Sequence, residues 1–398
     1  MRAILPASSA WDGIVSGRSA FVYSPDYLGY KLSDAHPLNP IRLALTESLI
    51  SACGLLDGPD VFRVEPRTAT DDEILYAHDR DYVDRVRELG AAPRWANPLE
   101  DFGLGTGDNP VFPGMHEASA LVTGGSLVAA ELVVNGQASH AFNPGGGLHH
   151  ADRRRASGFC VYNDCAVAIA WLRMQGFRVL YTDTDAHHGD GVQSIFYEDP
   201  GVLTISFHES GRYLFPGTGG TEENGVGAGL GYAVNVPLQP YTDHASFVEC
   251  FELVVPPLAR AFKPDIIVAQ NGCDGHAIDP LTHLHYLTPT FEHVAVRVHE
   301  LAHELCGGKL IALGGGGYGL WTVVPRAWAA VWAAISSQPL PELVPESWRE
   351  RWKGQSPDLL PKRMHNALDA VKTVEQQTEI SAANRKVAED VAARGLPA

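Results

Sequence analysis

The sequence is short of several features that would announce a function. It has six cysteines in 398 residues, at 53, 160, 165, 250, 273 and 306. They are scattered and form no CxxC pair, which argues against a zinc ribbon or disulfide scaffold and for reduced thiols. Basic residues are scarce: 30 Lys and Arg face 47 Asp and Glu, leaving a net charge of −17. Such a surface repels nucleic-acid phosphate and anionic lipid, so no intrinsic DNA or RNA binding is expected. It would steer in cationic substrates, such as lysine-rich segments or polyamines. No apolar run reaches the roughly 18 residues that a membrane span needs. The opening stretch "MRAILPASSAWDGIVSGRSAF" turns polar after Leu5, too early for a secretory h-region. A cytoplasmic protein without membrane attachment is expected. There is no fixed-period repeat, no low-complexity segment, no GxSxG and no P-loop. Any hydrolysis must be carried by Asp and His.

What is present is an ordinary globular composition, 45 % apolar and 19 % charged, enough for a large core. Short apolar runs at 137–143, 178–185, 202–208, 265–272 and 309–315 predict strands. Helical patterns at 163–176, 244–262 and 290–306 lie between them. Strands apolar on both faces and separated by crossovers predict a parallel sheet covered by helices. The expected fold class is α/β: a single domain with an open, mostly parallel sheet flanked by helices. Residues 1–18 read as a loose tail, 19–335 as the main domain, and 336–398 as an extension packed on it.

The polar clusters all follow these strands. "GGGLHH" comes after 137–143, "DTDAHHGD" after 178–182, "GCDGH" after 265–270 and "GGGGYG" after 309–313. In open α/β sheets ligands bind outside the carboxyl ends of the strands, so four loops converge on one expected site. Within "TDTDAHHGDG" (182–191), residues two apart share a face in extended chain. That lets Asp185 and His187 ligate one cation, with Asp274 as a third ligand from the neighbouring loop. Three ligands and an open position describe a catalytic metal, and the oxygen–nitrogen mix suits Zn²⁺, with Fe²⁺ as the alternative. His149 and His150 have the chemistry of a general base and acid, and Asp183 and Asp190 are placed to fix their tautomers. Tyr318, behind four glycines, is a candidate oxyanion donor. The ordinary readings are an Asp-rich turn, a helix cap at Asp190 and a packed aromatic at 318. The convergence of four loops outweighs them. His188 receives no ligand role.

One rival signal is "HELAH" at 299–303, which matches the HExxH metalloprotease pattern. It is discounted because the helix buries Val294, Ala295, Val298, Leu301, Ala302 and Leu305 on one stripe. At 100° per residue His299 and His303 fall to its side and are expected to face solvent. The third protease ligand is also missing: Lys309 stands in the metzincin third-histidine position, and 319–330 offers no glutamate. "GGGGYG" matches GxGxxG only trivially, with Tyr318 where a helix should start and no acidic partner after it.

Taken together, "NPGGGLHHADRRRASGFCVYND", "DTDAHHGDGVQSIFYEDPGVLTISFHE", "FPGTGG", "GAGLGYAVNVPL" and "LGGGGYG" resemble the arginase-fold, zinc-dependent histone deacetylases over roughly residues 20–330. "SPDYLGYKLSDAHPLNPIRLALT" and "CDGHAIDPLTHL" look closer to the bacterial acetoin-utilisation branch. The resemblance implies an acetyl-lysine deacetylase acting on proteins, with acetyl-CoA-synthetase-like enzymes among its partners. Acetylpolyamine hydrolysis by the same site is the alternative. An acyl-lysine binder without catalysis is disfavoured by the complete residue set. The resemblance matches Asp185, His187 and Asp274 to the zinc ligands and His149 and His150, paired with Asp183 and Asp190, to the catalytic histidines. It matches Tyr318 to the transition-state tyrosine. Gly158, Phe159, Phe215 and Leu281 match the walls of an acyl-lysine tunnel, Asp108 its rim and Arg42 an internal acetate cavity. It further implies structural K⁺ at two places, one formed by Asp183, Asp185, His187, Ser206 and Phe207, the other by carbonyls of Phe196, Asp199, Val202 and Tyr232. This chain departs at Asn271 and Cys273 on the pocket floor. It also departs at Asn39, Pro280 and Trp321, which replace the basic residues that bind inositol phosphate, so that regulation is not expected.

Overall fold

The computed structural model describes residues 17–92, 100–368, 370–371 and 373–397. The first 16 residues of the expected tail lie outside them. Eight strands form one open sheet in the order β2-β1-β3-β8-β7-β4-β5-β6, and every pairing is parallel. They are β1 (Ser19–Val22), β2 (Val61–Val64), β3 (His140–Asn143), β4 (Val179–Asp183), β5 (Val202–Glu209), β6 (Ala233–Leu238), β7 (Ile266–Gln270) and β8 (Leu310–Leu313). The inner strands are buried along their whole length, as apolar runs without alternation require. The two edges are different. Strand β2, "VFRV", is half-exposed, and β6 carries Pro237, a residue that sheets tolerate at their edges.

Helices flank the sheet in two packed runs. One joins Arg80–Ala91, Met115–Val134 and Asp164–Met174; the other joins Ile41–Ala52, Val324–Ile335, Thr288–Cys306 and His244–Phe262. Met115–Val134 is long and apolar enough to cross a membrane by length and composition, but 67 % of its apolar window is buried inside the fold. The last segment also contributes to the core. Trp348 and Trp352 are buried and both donate to Ser48 Oγ, at 2.9 and 3.0 Å. Helix Gln377–Arg394 packs on His244–Phe262, where buried Asn384 donates to Thr242 Oγ1 at 2.7 Å.

Strand register sets up the site. Asp183 is level with Gln270, Gln270 with Leu313, and Asn143 with Leu313. Strands β4, β7, β8 and β3 therefore end in one row at the centre of the sheet. The loops that leave them are the four polar clusters.

Candidate active site

Asp183, Asp185 and Asp274 are almost fully buried. A buried carboxylate must be hydrogen-bonded or paired, and the structure provides both. Asp185 Oδ2 accepts from Gln270 Nε2 at 2.8 Å and from Gly316 N–H at 2.7 Å. Asp185 Oδ1 accepts from His187 N–H at 3.0 Å, and Asp274 Oδ1 accepts from Ala186 N–H at 2.8 Å. The remaining capacity converges on His187 Nδ1, which lies 3.1 Å from Asp185 Oδ1 and 2.9 Å from Asp274 Oδ2. One ligand atom from each residue falls within 4.8 Å of the others.

This set fits a divalent cation. Two buried carboxylates side by side repel, and burial together with Asp185 pushes Asp274 up to about 6. Burial pulls His187 down, but Asp274 and Asp185 outweigh it and raise it to about 10. A cation among the three would relieve the same imbalance that the imidazole relieves here. Two glycines make room for the carboxylates. A Cβ on Gly272 would lie 2.1 Å from Asp185 Oδ2, and one on Gly316 would lie 2.2 Å from Asp274 Oδ2.

The histidine pair stands beside this centre. His149 Nδ1 is 2.7 Å from Asp183 Oδ2 and His150 Nδ1 is 2.7 Å from Asp190 Oδ1. Tyr181 Oη also donates to Asp183 Oδ2, at 2.8 Å. Each Nδ1 is thereby held as a donor, and both Nε2 atoms turn to each other at 3.0 Å. Burial lowers His149, yet Asp183 and Asp185 reverse the sign and raise it to about 9. Burial and the neighbouring His149 lower His150 to about 4. Asp190 opens helix Asp190–Ile195, but its side chain takes His150 and makes no cap. His188 turns aside to Thr218 Oγ1, at 2.8 Å, and Gln193 Oε1, at 3.2 Å.

Tyr318 reaches the site from the loop after β8. Its N–H and that of Gly319 donate to Asp279 Oδ2, at 2.7 and 3.1 Å. Arg42 Nη1 donates to Gly317 O at 3.1 Å. A small cavity lined by Leu38, Arg42, Leu148, Cys160 and Gly315 adjoins His149, His150 and Tyr318. Tyr30 Oη holds Phe159 O at 2.8 Å. The Phe159 ring lies 5.8 Å from that of Tyr318, and the exposed Phe215 ring lies 5.1 Å from that of His150. Gly158 sits flush on His150, where a Cβ would approach the ring to 2.3 Å. Leu281 is half-buried and donates its N–H to Asp279 Oδ1 at 3.1 Å. Asp108 is exposed. Its carbonyl is 3.3 Å from His36 Nε2, and the His36 ring meets Phe159 edge-on at 4.4 Å.

The expected K⁺ residues are placed as follows. Ser206 is level with Asp183 across β4 and β5, its Oγ 2.9 Å from His208 Nδ1, with Phe207 buried next to it. The carbonyls of Phe196, Asp199 and Tyr232 accept from Asp199, Val202 and Thr204 N–H at 3.0, 3.2 and 3.0 Å, each keeping a second lone pair. Of the substituted basic positions, Asn39 caps Ile41 N–H at 3.0 Å and Trp321 packs on Trp352.

Two residues that sequence reasoning missed hold this arrangement: Gln270, which carries Asp185, and Asp279, which anchors the Tyr318 loop. A polar side chain closing an all-apolar strand was the available signal for Gln270. An acidic residue just before Pro280 was the signal for Asp279. The reading of "HELAH" needs a correction. His299 is fully buried and His303 half-buried. Helix Thr288–Cys306 packs against β7 and two neighbouring helices, so its buried face is wider than the apolar stripe. The protease reading still fails, since Glu300 turns away to pair with Arg297.

The chain matches the histone deacetylase domain family over residues 36–335. It is 47 % identical over 368 residues to the acetoin utilization protein AcuC of Bacillus subtilis (strain 168), covering 92 % of this chain and 94 % of that one. It is 44 % identical over 379 residues to AcuC of Staphylococcus aureus (strain MSSA476), covering 95 % and 97 %. Among solved structures it is similar to a histone deacetylase homolog complexed with SAHA, with a TM-score of 0.81 and 31 % identity, over 92 % of this chain and all (100 %) of that one. A histone deacetylase homolog from Aquifex aeolicus gives a TM-score of 0.79 at 29 % identity, with the same coverage of 92 % and 100 %.

Proposed function

This chain belongs to the histone deacetylase family of hydrolases, and from that premise we propose that it hydrolyses the acetamide of Nε-acetyl-lysine in proteins to lysine and acetate. The observation that carries this reading is one geometry. A buried Asp185–His187–Asp274 set lies beside two histidines that are each locked to a carboxylate. Zn²⁺ is the ion proposed for that set, with Fe²⁺ as the alternative. When bound it would supply Lewis acidity, polarising the amide carbonyl and acidifying water.

The chain's own residues do the rest. Phe159 and Phe215 flank the aliphatic stem of the substrate and exclude water, with Leu281 and Gly158 completing the wall and Asp108 at the rim. The Nε2 atoms of His149 and His150 face the reacting centre because each Nδ1 is occupied. One takes the proton of the attacking water, and the pair returns a proton to the departing lysine amine. Tyr318 Oη donates to the oxyanion of the tetrahedral intermediate. Arg42 and the cavity beside it receive acetate. K⁺ is proposed at the two sets around Ser206 and Phe196. Acetylated metabolic enzymes of the acetyl-CoA-synthetase kind are the proposed protein partners, and the cytoplasm the proposed location.

The test is a steady-state comparison of an acetyl-lysine peptide with N-acetylputrescine, on protein of measured metal content. Higher kcat/KM on the peptide supports the reading. Equal or better turnover of the polyamine assigns the site to small amides instead.

A further inference from the structure

His140, His299 and His303 form a second cluster, far from the first in the fold. His140 opens β3, level with Ser19 of β1 and Leu310 of β8. This is the amino-terminal edge of the sheet, at the opposite end of the strands from the site above. His299 and His303 stand one turn apart on helix Thr288–Cys306. The three Nε2 atoms form a triangle. His140 to His303 is 3.0 Å, His299 to His140 is 3.1 Å and His303 to His299 is 3.1 Å.

Protons cannot satisfy that triangle. Each imidazole nitrogen carries either one N–H or one lone pair, never both. A contact is a hydrogen bond only where a donor meets an acceptor. Around three vertices the two states cannot alternate, so at least one contact sets like against like. Only a state with all three lone pairs converging on a shared cation leaves no contact of the triangle unsatisfied. Ser19 fits that state. Its Oγ lies 3.4 Å from Ile335 O, to which it can donate, and 3.2 Å from His140 Nδ1, from which it can accept. These contacts are compatible with the tautomer that leaves Nε2 bare, the orientation that metal-bound histidines generally receive from their own partners. Among the described residues His299 Nδ1 has no hydrogen-bond partner, so its tautomer is not set by a contact there.

We propose that His140, His299 and His303 bind one divalent transition-metal ion of the zinc type through their Nε2 atoms, as a structural site separate from the catalytic centre. Tetrahedral Zn²⁺ with Zn–N of about 2.0–2.1 Å requires nitrogens about 3.3 Å apart, within a few tenths of an ångström of the observed triangle. Imidazole ligands suit Zn²⁺, Ni²⁺ and Cu²⁺ rather than Mg²⁺ or Ca²⁺. His303 is half-buried, so one of the three ligands borders solvent. Glu300 is turned to Arg297, so the site lacks the general base of a protease. Its consequence is mechanical: it ties the start of β3 to a helix 159 residues further along the chain.

The experiment is zinc titration of chelator-stripped, full-length protein, with bound metal counted by elemental analysis after gel filtration. His303→Gln removes the most exposed ligand, and its retained deacetylase activity reports that it folds. Asp274→Asn removes a ligand of the other centre. The wild type is expected to hold one equivalent more than His303→Gln, and Asp274→Asn to retain one equivalent that the double variant loses. Zinc should raise the Tm of Asp274→Asn by several degrees and leave that of the double variant unchanged. Equal zinc content in wild type and His303→Gln overturns the proposal, whatever the catalytic centre holds.

Discussion

His149 and His150 meet through their Nε2 atoms at 3.0 Å while each Nδ1 rests on its own aspartate. That contact is a hydrogen bond only when one Nε2 carries a proton and the other does not. The geometry is compatible with a pair that shares a single proton. Removing either aspartate frees a ring to take the other tautomer. Asp183→Asn and Asp190→Asn are each expected to lower kcat by about 10–100-fold with KM little changed. Steady-state kinetics on an acetyl-lysine peptide would check this, and a change confined to KM would count against the proton-sharing role.

In the proposed reaction Tyr318→Phe removes the hydroxyl that donates to the developing oxyanion. The expected loss is about 10²–10³ in kcat with bound metal unchanged. A variant that keeps wild-type turnover would show that Tyr318 only packs against Phe159.

Asp279 is predicted to act on the proposed reaction by positioning Tyr318. It accepts the N–H groups of Tyr318, Gly319 and Leu281. Asp279→Ala leaves all three without that partner, and kcat is expected to fall about tenfold or more. Asp279→Asn keeps an oxygen acceptor and should recover part of the loss. A purely structural role would lower Tm equally in both variants without that difference in kcat.

Acid stability depends on His78. This ring is buried, and its Nε2 accepts from Asn163 N–H at 2.9 Å. Asn163 in turn donates to the carbonyls of His149 and Ala151, at 3.0 and 2.8 Å. Burial lowers the folded pKa from 6.5 to about 4. The unfolded chain then takes the proton first. Above pH 6.5 neither state is charged, and the group has no pH effect. Between 6.5 and 4 the unfolded state gains a proton that the folded state lacks, and stability falls as pH falls. Below 4 both are protonated and the loss levels off, at on the order of 3 kcal/mol. Urea midpoints at pH 7.5 and 5 are expected to differ less in His78→Gln than in the wild type.

The sequence made the inner sheet legible because β3, β4, β5, β7 and β8 are apolar on both faces. Strand β2 showed no such run, being half-exposed and carrying Arg63, and β1, although buried, directly follows the polar stretch that reads as a tail. Pro237 disguised β6, where an edge position leaves the missing N–H without consequence. The convergence of the candidate site residues was legible because they follow strand ends, where chain order predicts convergence. Gln270 and Asp279 were not, since nothing in one dimension says which polar side chain reaches across to a neighbouring loop. The histidine triangle was half legible. "HELAH" gave the i, i+4 pair, but the third member opens a strand that precedes it by 159 residues. The helical-wheel argument also failed there, because a helix clasped by sheet and neighbours buries more than its apolar stripe.

Gly272 and Gly316 carry no functional group, yet any side chain at either would overlap an oxygen of Asp185 or Asp274. The shape of the centre is cast by empty space as much as by ligands. A screen for inactive variants should therefore accumulate hits at these two glycines as densely as at the acids and histidines. A search that counts only chemically competent side chains would pass over them.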